Sequence, residues 1–364
     1  MSDKAPMSGK APTSGKARRG NFFEDFHVGQ DIVHPTPRTI TLGEQALYGA
    51  IYGSRFPFIS SDEFARAAGL ERAPLDGLLT FHVVFGKSVP DISLNAIANL
   101  GYADCLFQTP AYPGDTVSAS SRVIGVKQNS NGKTGTVYVR TTGRNQRGEV
   151  LVEFVRWVMV TKRDPDSPAP EPVVPELPAM VPVERFVLPA ELDLAGYDLA
   201  AAGSPHLWED YAAGERIDHI DGATVEEAEH MMAARLYQNT ARVHFDAHAA
   251  QGSRFGRRVV YGGHVISIAR SLSFNGLANA IHIIAINGGR HVAPLFAGET
   301  VYAWTEVLET MALPGRADIG ALRLRTIAAK DQPCADFPDK DAAGQYHPAV
   351  ILDLDYTALM PRRR

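Results

Sequence analysis

FFEDFHVGQDIVH, residues 22–34, returns at residues 207–219 as LWEDYAAGERIDH. The two segments match Glu24 with Glu209, Asp25 with Asp210, Gly29 with Gly214, Ile32 with Ile217 and His34 with His219, always 185 residues apart. The same offset pairs Thr39 with Thr224, Glu44 with Glu229 and Tyr52 with Tyr237. Further on, PAYPGDTV (110–117) faces PLFAGETV (294–301) with the offset changed by one residue. Unrelated segments do not hold register over such a length, so the chain reads as a tandem duplication.

Between the copies lies DPDSPAPEPVVPELPAMVPVE (164–184), whose prolines remove backbone donors and favour extended geometry. It reads as a semi-rigid connector rather than a core element. The expected organisation is a tail over residues 1–20, a first unit over 21–163, the connector over 164–184 and a second unit over 185–364. Each unit carries the same order of signals. A turn at Gly29 or Gly214 precedes a short strand, and Thr41 or Thr224 is a candidate helix cap. After a polar junction comes a long apolar helix, from Gly77 in one copy and Gly262 in the other. The segments 116–128, 133–160 and 321–330 then alternate apolar and polar residues, as strands do. Each unit is therefore α+β, an antiparallel sheet wrapped around one long central helix.

Composition narrows the partners. The chain is 45% apolar and 21% charged, a balance that supports sizeable cores. A net charge of −5 leaves no basic excess for nucleic-acid phosphates. Two distant cysteines, Cys105 and Cys334, suit a reducing cytoplasm better than a disulfide framework. The first twenty residues, rich in Gly, Pro, Ser and Lys, read as a disordered basic tail. No run reaches the ~18 apolar residues that a membrane span needs.

The turns YPGDTV (112–117) and FAGETV (296–301) and the junction LYQNTARVHFD (236–246) resemble those of the MaoC-like, (R)-specific enoyl-CoA hydratases of the hotdog fold. The resemblance runs from Phe22 to Met360, and two copies resemble the double-hotdog members. That family's motif presents an Asp and a His to one water. Laid on this chain, the His falls on His244, the Asp on Asn239, and a proline of the motif on Arg242. In the first copy, YGSRFPFISS (52–61) has Ser54 and Ile59 at the Asp and His places, so only the second copy keeps an acid/base group. The resemblance implies reversible hydration of a short, branched, unsaturated dicarboxylic acyl-CoA, with mesaconyl-CoA going to β-methylmalyl-CoA as the leading case. It also implies a CoA thioester as partner, no metal or redox cofactor, and a homodimer or higher homo-oligomer.

Hydration of an unsaturated thioester needs a base for water, a proton for Cα and a donor for the thioester oxygen. His244 suits the first two tasks near neutral pH. Asn239 cannot accept a proton but can orient the water. YGGH (261–264) opens the long helix of the second copy, where unpaired N–H groups converge. Gly263 is the candidate oxyanion donor there and Tyr261 a candidate substrate contact; a plain packing turn is the competing reading. Arg242 is the candidate clamp for a free carboxylate, because a guanidinium binds carboxylates bidentately. Arg55, Arg290 and His291 are candidate contacts for CoA phosphates or the acyl carboxylate, against the reading of solvated surface charges. Asp246 reads as a helix cap. His244 and His248 are four apart, but Phe245 replaces the glutamate of a zinc motif and no third ligand follows. Two rivals stand beside hydration: a hotdog thioesterase, and a non-catalytic acyl-CoA binding module favoured by the loss of the carboxylate at Asn239.

Overall fold

In the computed structural model, which describes residues 15–363, the alternating segments form long strands and the two apolar helices lie buried against them. The first unit contains β1 (Asp31–Thr39), α1 (Leu42–Tyr52), short α2 (Pro57–Ser60) and α3 (Asp62–Ala67), and the central α4 (Gly77–Ser88). After a π-helical turn (Val89–Ser93) come β2 (Ala96–Phe107), β3 (Thr116–Gln128), β4 (Thr134–Arg144) and β5 (Val150–Thr161). The connecting region carries α5 (Leu199–Ala202). The second unit repeats the plan with β6 (Arg216–Asp218), β7 (Ala223–Thr224), α6 (Glu227–Leu236), α7 (Arg242–Phe245) and α8 (Ala247–Gln251). Its central helix is α9 (Gly262–Leu272), followed by α10 (Phe274–Leu277), β8 (His282–His291), β9 (Thr300–Leu313), β10 (Arg316–Lys330) and β11 (Val350–Pro361).

The strands form one antiparallel sheet in the order β1-β3-β4-β5-β2-β8-β11-β10-β9-β6, with β7 on β9. Read from either end this order is the same series of equivalent strands, and β2 pairing with β8 is the seam between copies. The duplication therefore closes on itself through the sheet and through the helices. This is a double hotdog.

Side-chain chemistry repeats with the backbone. His34 bridges Asp91 (2.8 Å) and Ser121 (2.7 Å), and Ser121 meets Thr141. His219 bridges the Asn275 carbonyl (2.7 Å) and Thr305 (2.7 Å), and Thr305 meets Thr326. Tyr52 and Tyr237, equivalent by sequence, place their hydroxyls 2.6 Å apart across the local two-fold, and Tyr52 also meets His264 Nδ1 at 2.8 Å. In the low dielectric of the interior such satisfied polar pairs fix one relative position of the copies.

Three expectations are corrected. Thr41 caps α1 with Glu44 in a reciprocal box, but Thr224 does not cap α6. It lies in β7, with its hydroxyl 2.8 Å from that of Thr300, because its equivalent is Thr39, which meets Thr116 in the same way (2.7 Å). The proline-rich segment is no mere connector. The N–H of Val173 donates to Val126 (2.8 Å), and fully buried Val181 donates to Asn287 Oδ1 (3.0 Å). Beyond it, Leu192, Leu194 and Ala202 pack with Phe58 and Phe64 of the first unit and Met311 and Leu313 of the second, so residues 185–206 strap the copies together. Of the expected tail, residues 1–14 lie outside the described residues, while the carbonyl of Arg19 accepts from Asn95 (3.0 Å). Cys105 and Cys334 are free, buried thiols. No helix among the described residues is long and apolar enough to cross a membrane.

Candidate active site

The junction of the second copy is built by short-range hydrogen bonds from side chain to backbone. After α6, Asn239 turns its Oδ1 to accept from the N–H of Ala241 (3.2 Å), which starts α7. Asp246 then accepts from Ala249 (3.0 Å) and starts α8. Between Asn239 and Asp246, His244 donates Nδ1–H to the carbonyl of Val259 at 2.8 Å. A carbonyl can only accept, so the neutral ring carries its lone pair on Nε2. Burial pushes its pKa down to about 4, outweighing the opposing effect of the Val259 bond. The imidazole is thus neutral across the physiological range. Tyr261 stands edge-on to it at 5.6 Å.

These groups face a cavity of about 250 Å³. Asn239, His244, Tyr261, Gly262 and His291 form its wall from the second copy, and Phe85, Tyr102 and Arg156 from the first. Asn239 is 1% exposed, and its Nδ2 has no hydrogen-bond partner among the described residues. The hydroxyl of Tyr102 lies within hydrogen-bond distance of His291 Nε2 (3.1 Å), and burial lowers the pKa of that histidine to about 4. The volume falls below the roughly 300–1,000 Å³ of drug-sized sites, so it fits a short acyl group and leaves a nucleotide outside. An open groove of about 810 Å³ on the other face of the junction is lined by Arg18, Arg19, Lys87 and Arg235, with no histidine in its wall.

The first turn of α9 borders the cavity. Its N-cap, Tyr261, makes no side-chain cap, whereas the equivalent α4 is capped by Asp76, which accepts from Leu78 at 2.8 Å. The leading N–H groups of an uncapped helix keep no intrahelical partner and carry the positive end of its dipole. In the first copy the same space is spent on packing. Ile59 lines an apolar cavity of about 50 Å³ with Phe58, Leu75, Phe107 and Leu151.

The structure brings His244, Asn239, Tyr261 and His291 together and leaves the other sequence candidates out. Gly262, not Gly263, lines the cavity. A Cβ on Gly263 would lie 2.5 Å from the ring of His82, and one on Gly262 would strike His291, so close packing alone requires both glycines. Arg242 is exposed and outside the wall. Two residues along a helix turn by about 200°, so a ring of His244 facing in sends Arg242 out. Arg55 is exposed and stacks on Phe274 at 4.6 Å. Arg290 is exposed because alternation along β8 sends its neighbour His291 inward. Asp246 caps, as its place in the sequence implied. Among the described residues no cluster of three or more His, Cys, Asp or Glu could hold a metal ion.

Arg156 and Arg254 line the cavity without having been singled out as site residues, and His291, a candidate contact beside Arg290, lines it as well. His291 carried a legible signal, since the offset of 184 residues places it opposite Phe107 and makes it, like His244, specific to one copy. Arg156 interrupts the buried alternation Val152, Phe154, Val158, Val160 of β5. Arg254 sits in the loop after α8 and has no periodic context.

The profile of the mesaconyl-CoA hydratase family matches residues 10–338. The chain is 66% identical over 344 residues to a β-methylmalyl-CoA dehydratase of Chloroflexus aurantiacus, covering 94% of this chain and 98% of that one. It is 57% identical over 345 residues to a mesaconyl-CoA hydratase of Cereibacter sphaeroides, with the same coverage. Among solved structures, a MaoC-domain dehydratase of Chloroflexus aurantiacus superposes with a TM-score of 0.94 at 65% identity, covering 96% of this chain and 100% of that one. A double-hotdog protein of Mycobacterium tuberculosis superposes with a TM-score of 0.73 at 26% identity, covering 94% and 98%.

Proposed function

The chain belongs to the mesaconyl-CoA hydratase family, and with that membership as premise we propose that His244 is the acid/base group of its reaction. The enzyme is a hydro-lyase that reversibly adds water across the double bond of mesaconyl-CoA to give β-methylmalyl-CoA. One observation carries the assignment of the site. A neutral imidazole with Nε2 free, an amide with a free donor and an uncapped helix N-terminus wall one cavity sized for a short acyl group.

Nε2 of His244 takes a proton from water, and the oxygen attacks Cβ, the carbon bearing the free carboxylate. The electron pair of the double bond moves toward the thioester oxygen, which the N–H groups at the start of α9, beginning with Gly262, stabilise as charge develops. The imidazolium then returns its proton to Cα. Protons and electrons balance with no change of oxidation state overall, so the step draws on no redox cofactor. Asn239 donates from Nδ2 to the water oxygen, leaving a hydrogen for His244. Because one ring takes and returns the proton, hydrogen and hydroxyl arrive on the same face. The CoA chain leaves past exposed Arg254, whose charge suits its phosphates. The test is His244→Gln, which keeps the bulk and loses the base. Turnover falls on the order of 10²-fold or more with folding unchanged; near-parental turnover overturns the assignment.

A further inference from the structure

The central region of the first unit holds a charge that its own chain does not neutralise. Arg156, 1% exposed on β5, points into the core face among Val152, Phe154, Val158 and Val160. Its Nη2 donates to Ser88 (2.8 Å) and its Nη1 to Ser93 (3.4 Å), both hydroxyls, and its Nε is buried with no hydrogen-bond partner. The guanidinium lies 4.1 Å over the ring of Phe85. No carboxylate forms an ion pair with it among the described residues. Burial pushes its pKa down only to about 10, so it stays charged at neutral pH. A buried charge is costly unless it is paired, so an unneutralised guanidinium at a cavity wall is a place for an anionic ligand.

The pocket beside the first copy's junction shows the contrast. There the buried guanidinium is that of Arg270, stacked 3.5 Å over Phe56, and Asp76 supplies a carboxylate in the same small cavity that interacts with it electrostatically. The residue equivalent to Asp76 by the 185-residue offset is Tyr261, which carries no charge. The degenerate site thus contains its own anion, and the open site does not. Arg156 shares the wall of the open cavity with His244 and Asn239. Phe85 connects them in space, with Arg156 over one face and Tyr261 at 5.6 Å, and Tyr261 in turn meets His244.

We propose that Arg156, supplied by the unit that has lost its acid/base residues, is the clamp for the free carboxylate of the dicarboxylic acyl group, and so sets the specificity of the site. The inference rests on the hydratase reading above. A planar fork with an unused Nε–H matches a carboxylate that two serine hydroxyls do not neutralise. Holding that carboxylate at Arg156 also fixes the adjacent Cβ, the carbon that water attacks. The role taken from sequence for Arg242 passes to Arg156.

The test separates recognition from turnover. Binding of two non-reacting thioesters, succinyl-CoA and butyryl-CoA, is measured by calorimetry on the parent, Arg156→Met and Arg156→Lys. The parent prefers the dicarboxylic ligand. Arg156→Met loses that preference by roughly 10²-fold while binding butyryl-CoA as well as or better than the parent. Arg156→Lys, which keeps the charge and loses the fork, retains part of the preference and remains informative if the Met variant does not fold. With mesaconyl-CoA the loss appears chiefly in KM, because the carboxylate is held in ground and transition states alike. An unchanged preference in the folded variants overturns the clamp and leaves the hydratase reading intact. Absence of hydration in the parent, with the preference and its loss intact, overturns the hydratase reading instead.

Discussion

Lowering the pH protonates imidazole, and the environment of His244 dictates where that happens. An ordinary histidine titrates near pH 6.5. Burial of His244, with only the Val259 carbonyl favouring the charged form, brings its pKa to about 4. At pH 5.5 a base of pKa 6.5 would be about 9% neutral, and one of pKa 4 about 97% neutral. The two cases differ roughly tenfold in active enzyme. Initial rates of mesaconyl-CoA consumption at constant ionic strength, from pH 8 down to the edge of folding, read this directly as kcat/KM. Circular dichroism at each pH marks that edge. The profile stays flat through pH 5.5. An acid limb centred near 6.5 in a folded protein would refute either the burial argument or the identity of the base.

Acid also tests the fold. His82 and His219 are buried with pKa values held by desolvation at about 3 and about 4. Above pH 6.5 they are neutral in both states and contribute nothing to pH dependence. Below it the unfolded chain binds protons that the native chain refuses, so stability drops by about 1 kcal/mol per pH unit for each, seen as a falling Tm; a Tm flat between pH 7 and 5 contradicts this. Tyr52→Phe strips a partner from Tyr237 and His264, and chemical denaturation reads a loss of about 1–3 kcal/mol, with no loss if the contact is incidental. Asn239→Asp replaces the donor to water with an acceptor and adds a buried negative charge, so kcat/KM for mesaconyl-CoA falls tenfold or more, and parental rates would remove Asn239 from the water site. Ile59→His creates no second site, because its apolar cavity of about 50 Å³ has no room for substrate; restored turnover in Ile59→His combined with His244→Gln would show otherwise.

The duplication was readable because it preserves polar residues that repeat a buried contact, such as His34 and His219, and because apolar alternation survives in β3, β4, β5 and β10. Thr224 misled because a threonine before a helix looks like a cap whether or not a strand intervenes. Prolines around Val181 spoke for a connector, while burial of that one valine depends on Asn287, far along the chain. At the site, His244 and Asn239 stood out by differing from Ile59 and Ser54 in a repeated frame. Arg242 failed because the facing of a four-residue helix is set by packing, not by sequence distance. Arg156 was hidden in a strand, where a single arginine normally marks the solvent face. Its inward register requires knowing that Phe154 and Val158 face the core on either side.

The central claim is that His244 drives addition of water at the double bond of a thioester left intact. Mass spectrometry of mesaconyl-CoA incubated with the protein, with free thiol titrated in the same sample, addresses that claim without intermediaries. The account predicts a product heavier by one water, no release of CoA thiol, and loss of the product with His244→Gln. Thiol release in step with substrate loss, or the same hydrated product from folded His244→Gln at the parental rate, would contradict it.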